Sequence, residues 1–282
     1  MALELEHATF TYAGAKEPAI TGVSLRLDAG HFYGIIGSTG GGKTTLCNLL
    51  TGIAPHFLKG ELDGEVRIEG VSTTQLSIEE LVTRVGYVFQ NPFDQLSHIT
   101  YTVEEEVAFG LQNLGVEVGE IRARADWALN VLGIAALRNR FPLDLSGGEL
   151  QRLAVASILA MKPSVLVLDE PTSQLDPQGT REVFEAVAAM RGSGLTVVMV
   201  EHKIELLATH VDELLVMQRG RLVALGSPRQ VLGDPSVQDW EIERPQLAEL
   251  ALRLGRTAAA GPLPFGVEEF LVAFHLGPKD AH

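Results

Sequence analysis

The stretch Gly37-Ser38-Thr39-Gly40-Gly41-Gly42-Lys43-Thr44, with Thr45 behind it, constrains this chain more than any other. It reads G-x-x-x-x-G-K-[ST] in full and stands between an apolar run, Phe32–Ile36, and a helical pattern opening at Thr44. Glycines let backbone N–H groups turn inward around phosphate oxygens, and the following helix adds positive potential at its N-terminus. Lys43 is placed to neutralise β and γ phosphates, and the Thr44 hydroxyl is a hard oxygen ligand suited to Mg²⁺. A second apolar run, Val165-Leu166-Val167-Leu168, ends in Asp169-Glu170. In an open α/β sheet, ligands bind at the C-terminal ends of the strands. Asp169 would hold Mg²⁺ there, and Glu170 would act as general base on an attacking water.

The rest of the pattern supports an α/β chain with a mostly parallel sheet. Strands are expected at residues 23–27, 32–36, 65–68, 85–89, 165–168, 195–200, 211–218 and 221–225. Helices are expected at 120–132, 146–160, 180–190 and from 204, with another behind Thr102, where three glutamates follow a capping residue. The first third reads as strands and turns. The expected division is 1–94 with 161–227 as the nucleotide-binding core, 95–160 as a helical insertion, and 228–282 as a proline-punctuated C-terminal extension.

Composition narrows the function. The chain has 282 residues and a formal net charge of −14, which argues against nucleic acid as a partner and against direct docking on anionic lipid. Cys47 is the sole cysteine, so an intrachain disulfide is impossible. Mean hydropathy is positive, at +0.16, yet no apolar run reaches the ~20 residues of a spanning helix. The acidic start, MALELEHATF, lacks the basic and apolar parts of a signal peptide, so a cytosolic chain is expected.

Leu145-Ser146-Gly147-Gly148-Glu149-Leu150-Gln151-Arg152 resembles the signature motif of ABC-transporter ATPases. Ser146 and Glu149 also form the S-x-x-E pattern of a helix capping box. In the resembling family the signature faces the γ-phosphate held by the opposite subunit. The resemblance therefore implies a phosphate-loop NTPase core with an N-terminal antiparallel β subdomain, a helical subdomain and a small C-terminal helical extension, binding ATP and Mg²⁺ and working as a head-to-tail dimer with two shared sites. Further elements are similar, in order, over residues 1 to about 230. Tyr12 resembles the adenine-stacking aromatic. Gln90 resembles the glutamine that senses Mg²⁺ and the membrane partner. Ser173-Gln174-Leu175-Asp176 resembles the loop that meets its counterpart across the dimer, and His202 the switch histidine at the γ-phosphate. Thr39 and Gly41 stand where the family often has Asn and Ser, and Lys203 where Asp is common. Glu170 and His202 are both present, so hydrolysis is expected.

Residues 90–96, with Asp94, Gln95 and Leu96 as a coupling surface, and the run 102–110 look like energy-coupling factor (ECF) transporter ATPases of vitamin and transition-metal uptake. That resemblance implies an importer motor on the cytoplasmic face of the membrane. Its partners would be a second ATPase, identical or paralogous, an ECF-type transmembrane subunit and a substrate-binding membrane protein. The alternatives are another ABC importer or exporter class, and a soluble ABC ATPase of DNA repair or translation. A single phosphate loop and the absence of sustained heptads weigh against the last. Val267, Phe270, Leu271 and Phe274 fall on one helical face, which must bury against the chain's own core or a second subunit; Trp240 belongs either to that cluster or to the ordinary core.

Overall fold

The computed structural model describes residues 1–256 and 261–275. In chain order the elements are β1 (Leu3–Tyr12), β2 (Ile20–Leu27), β3 (Phe32–Ile36), α1 (Lys43–Leu50), α2 (Ile53–His56), β4 (Gly60–Ile68), β5 (Val71–Ser72), α3 (Ile78–Arg84) and β6 (Val85–Val88). Then follow α4 (Val103–Asn113), α5 (Val118–Val131), α6 (Gly147–Leu159), β7 (Val165–Asp169), α7 (Pro177–Ala188), β8 (Thr196–Val200), α8 (Ile204–His210), β9 (Glu213–Gln218) and β10 (Arg221–Gly226). The chain continues through α9 (Pro228–Gly233), α10 (Gln246–Arg253) and α11 (Val267–Ala273).

Two sheets organise these elements. A six-stranded sheet has the order β10-β9-β3-β8-β7-β6, parallel throughout except for the β9–β10 hairpin. A four-stranded antiparallel sheet has the order β2-β1-β4-β5. The fold is thus the expected α/β class with a mostly parallel sheet beside an antiparallel one. The apolar runs become β3, β7 and β8, buried at every residue. Their side chains alternate between two cores. Tyr33, Ile35, Val165, Val167, Val198 and Val200 pack with α1 and the antiparallel sheet. Phe32, Ile36, Leu166, Leu168, Val197 and Met199 pack with the helices on the opposite face. Two-sided burial explains why these strands read as continuous apolar runs rather than alternating ones.

Local signals set several helix starts. Thr102 caps α4 and exchanges hydrogen bonds with Glu105 in a capping box, and Ser146 does the same with Glu149 on α6. Several details depart from the sequence reading, among them β1, which no expected strand covers. The first third holds a helix, α3, whose Ser77–Glu80 capping box marks its start. The strand expected at 65–68 begins earlier, at Gly60, because its exposed outer half pairs with β1 up to Tyr12. The apolar face of α11 is not buried on the chain's own core: Val267 is 65 % exposed, and Phe270, Leu271 and Phe274 are half-buried. Trp240 packs against the main core, the ordinary alternative for it, and that core also takes in Leu263 and Phe265.

Candidate functional site

The C-terminal ends of β3, β7 and β8 open on one side of the parallel sheet, and the chemistry gathers there. The loop from Gly37 to Gly42 leads from β3 into α1. Its glycines are required by space. A Cβ on Gly37 would lie 2.0 Å from the Met217 carbonyl oxygen, and Gly42 has φ +99° with the Ala19 carbonyl 3.0 Å from its Cβ position. No side chain caps α1. Its first-turn N–H groups are therefore left to the loop and to whatever binds in it. Lys43 Nζ donates to the carbonyl oxygens of Gly37 (2.8 Å) and Ser38 (3.1 Å). Burial lowers the Lys43 pKa from its ordinary value, while Glu170 and Asp169 pull it back up.

Asp169 ends β7. Its Oδ2 accepts from the Tyr87 hydroxyl at 3.0 Å, and its Oδ1 is buried without a hydrogen-bond partner. Burial pushes this carboxyl up, and the Thr44 and Tyr87 hydroxyls hold it down. Burial also raises the Tyr87 phenol far above its usual range, so Tyr87 stays a donor at working pH. A buried, unpartnered carboxylate oxygen is costly unless a cation or donor reaches it. The residues therefore fit Mg²⁺: Asp169 Oδ1, the exposed Thr44 and the amide oxygen of Gln90 are all hard oxygen donors. Among the described residues no cluster of three His, Cys, Asp or Glu side chains forms a self-contained metal site. A cation that shares its ligands with substrate phosphates needs no such cluster.

Glu170 follows with a left-handed backbone, φ +51°, an uncommon conformation for a residue with a long side chain. That turn aims its carboxylate across the sheet end. Gln90 Nε2 donates to Oε2 at 3.0 Å, and His202 Nε2 lies 2.9 Å from Oε1. Beside an ionised carboxylate, Nε2 must carry the proton and donate. Phosphate loop, Asp169, Glu170, Gln90 and His202 are thus brought together. Tyr12 stands against the first turn of α1, with its hydroxyl 3.2 Å from Thr45 Oγ1 and its ring edge-on to Phe10.

The signature residues lie elsewhere. Ser146, Gly147, Gly148 and Glu149 line a second cleft with Gln174, Leu175 and Asp176. The first cleft is lined by Thr39–Thr45, Glu170, Glu17, Pro18, Ala19, Arg219 and Gly220, and the two share no residue. Asp176 caps α7, its Oδ1 accepting from Gly179 N–H at 2.7 Å, while Ser173 and Gln174 are exposed. The Ser146 N–H holds the Glu149 carboxyl below its ordinary pKa against a smaller opposing effect of burial.

The expected coupling triplet is corrected in part. Asp94 is exposed, but Leu96 is only 7 % exposed and belongs to the core with Val88, Val103 and Val107. Gln95 folds back, its Oε1 accepting from Phe89 N–H at 3.3 Å. Leu96 is apolar and follows a single 3-10 turn, so it packs inward, and Phe93 takes its place outside at 47 % exposure. Sequence reasoning also missed Glu17 and Arg219 at the lip of the first cleft. The one local signal is the Arg219-Gly220 pair in the β9–β10 turn, where Gly220 N–H bonds to the Gly41 carbonyl at 3.0 Å.

A family model described as ABC transporter matches residues 20–173. A Pyrococcus abyssi protein provisionally described as an ABC transporter ATP-binding protein is 47 % identical over 230 residues, 81 % of each chain. A counterpart from Pyrococcus horikoshii is 46 % identical over 230 residues, 81 % of this chain and 80 % of its own. Among solved structures, CbiO1 of Clostridium perfringens, described as part of the ABC transporter complex cbiONQ, superposes with a TM-score of 0.74 at 30 % identity. The match covers 90 % of this chain and 96 % of that one. The ATP-binding cassette MJ0796, solved as a dimer in a post-hydrolysis state with ADP and Pi, gives a TM-score of 0.69 at 28 % identity, covering 80 % and 99 %. The site geometry, the family match and these likenesses agree: the chain belongs to the ABC transporter ATP-binding family and is an ATPase.

Proposed function

We propose that this chain is the motor subunit of an ECF-type importer, closing head to tail on a second ATPase around two ATP molecules. The observation that carries the dimer is the separation of the two clefts on one chain, with the phosphate loop in one and the signature motif in the other. Since the signature lies away from the phosphate loop of its own chain, it would complete the cleft of its partner. The dimer of MJ0796 supports this reading.

Each residue then has a role. Gly37–Gly42 and the start of α1 receive the phosphates, Lys43 and Thr45 bind alongside, and Tyr12 offers a face to the adenine. Thr44, Asp169 and Gln90 would hold Mg²⁺, which would neutralise charge developing on the transferred phosphoryl group. Glu170 takes the proton of the attacking water. Gln90 and His202 aim its carboxylate through the two bonds at 3.0 and 2.9 Å. Gly147 and Gly148 would present backbone N–H groups to the partner's nucleotide, with the Ser146–Glu149 capping box closed behind them, and Ser173–Asp176 would meet the partner's equivalent loop. Residues 1–94 with 161–227 would move as the nucleotide-binding core against the helical part at 95–160, with 228–282 as a dimerisation segment.

The ECF assignment rests on the run 90–96, on the run 102–110 and on the likeness to CbiO1, which covers 90 % of the chain against 80 % for MJ0796. No helix among the described residues is long and apolar enough to cross a membrane. Attachment to the cytoplasmic face would therefore run through protein partners, with exposed Phe93 and Asp94 in place of Leu96 at the contact. A mild-detergent pull-down from host membranes tests the class. Copurification of an ECF-type transmembrane subunit is expected, and a different permease pair would assign the chain to another ABC importer or exporter.

A further inference from the structure

His202 is flanked by two residues that hold the same partner. Glu201, 2 % exposed, accepts at Oε1 from both the backbone N–H (3.0 Å) and the hydroxyl (2.6 Å) of fully buried Thr172. Its Oε2 accepts from the His202 N–H at 3.2 Å. Lys203 Nζ donates to the Thr172 carbonyl (2.8 Å), the Thr172 hydroxyl oxygen (3.0 Å) and the hydroxyl oxygen of buried Thr180 on α7 (2.6 Å). An ammonium has three N–H groups, and all three are used. The Thr172 hydroxyl thus bridges a buried carboxylate and its compensating cation, donating to one and accepting from the other. A buried acid without such a cation would carry a large desolvation cost. Thr172 stands two residues beyond Glu170 and one before Ser173.

We propose that Glu201 and Lys203 are positioning residues that clamp Thr172 from both sides. Through it they lock the turn carrying His202 to the segment carrying Glu170 and the Ser173–Asp176 loop. This rests on the reading of Glu170 as the general base. Neither residue touches the nucleotide cleft, so their effect passes through the 2.9 Å Glu170–His202 contact.

The test is steady-state ATP turnover by the purified full chain, with Glu170→Gln as the reference. Lys203→Met is expected to lower kcat about 10²-fold with KM for ATP within about twofold, the pattern of a misplaced reacting group. Should that variant fail to fold, Thr172→Val and Thr172→Ser decide. The valine keeps the shape without the hydroxyl and should lose turnover, while the serine keeps the hydroxyl and should restore most of it. Parent kcat in Lys203→Met, or equal damage from valine and serine, overturns the clamp. Parent turnover in Glu170→Gln would sink the base assignment itself. An inactive Glu170→Gln beside fully active Lys203→Met and Thr172→Val sinks only the clamp.

Discussion

Two helix N-termini face the two clefts, and they are finished in opposite ways. At α1 the cap position is Gly42, left-handed and without a side chain to satisfy the first N–H groups. At α6 the cap is Ser146, which with Glu149 closes a capping box of the chain's own making. Both are glycine-flanked ends carrying positive potential. The first is left open for a ligand within its own chain. The second is closed by side chains of its own first turn. An uncapped end offers its first N–H groups to an anion, whereas the capped end, on the proposed reading, would meet a nucleotide held by a partner chain.

The largest effect should come from breaking the open end's chemistry. Glu170→Gln is expected to lower turnover about 10²–10⁴-fold while ATP binding persists, and ATP should then accumulate a dimer visible by light scattering. Next, Ser146→Arg blocks the partner's access to the capped end. Turnover should fall to a similar level with nucleotide affinity of the monomer unchanged by calorimetry, and normal turnover would break the contrast between the clefts. Ligand dependence sharpens it further. In Glu170→Gln, ATP at 100-fold over its Kd should stabilise the chain by about 2.7 kcal/mol in thermal unfolding. Ser146→Ala should cost about 1 kcal/mol in denaturant unfolding, because the α6 cap is structural as well as functional.

The smallest effect is one of pH. The Glu149 carboxyl sits below its ordinary value because it accepts from Ser146 N–H. Its contribution is present above the unfolded carboxylate pKa and is lost as pH falls through the folded one. The stability gap between parent and Glu149→Gln should therefore narrow on acidification below about pH 4.

What was legible in the sequence follows the range of the physics. β3 reads to the residue, because burial on both faces makes an apolar run and the glycines beside it end it. The cap at Thr102 and the capping box at Ser146 read from four residues each. α3 was hidden because seven residues are too few for a clear helical period, although Ser77 and Glu80 carried the signal. Leu96 was misplaced because a short 3-10 turn decides which of two neighbouring apolar residues, Phe93 or Leu96, goes inside. The grip of Glu201 and Lys203 on Thr172 joins positions about thirty residues apart, and nothing local marks it. Glu170 was legible as an acid ending an apolar run, whereas Gln90 and His202 were found through family resemblance rather than pattern. Their convergence is tertiary, built by the parallel order of β6, β7 and β8.

Mixing two inactive variants tests the shared site most directly. Lys43→Ala destroys the phosphate cleft and keeps the signature, while Ser146→Arg does the reverse, so neither alone should hydrolyse ATP. In an equimolar mixture half the dimers pair one of each, and each such dimer regains one intact site. The account predicts turnover restored to about a quarter of the parent rate. A mixture as inactive as its components would contradict the composite site.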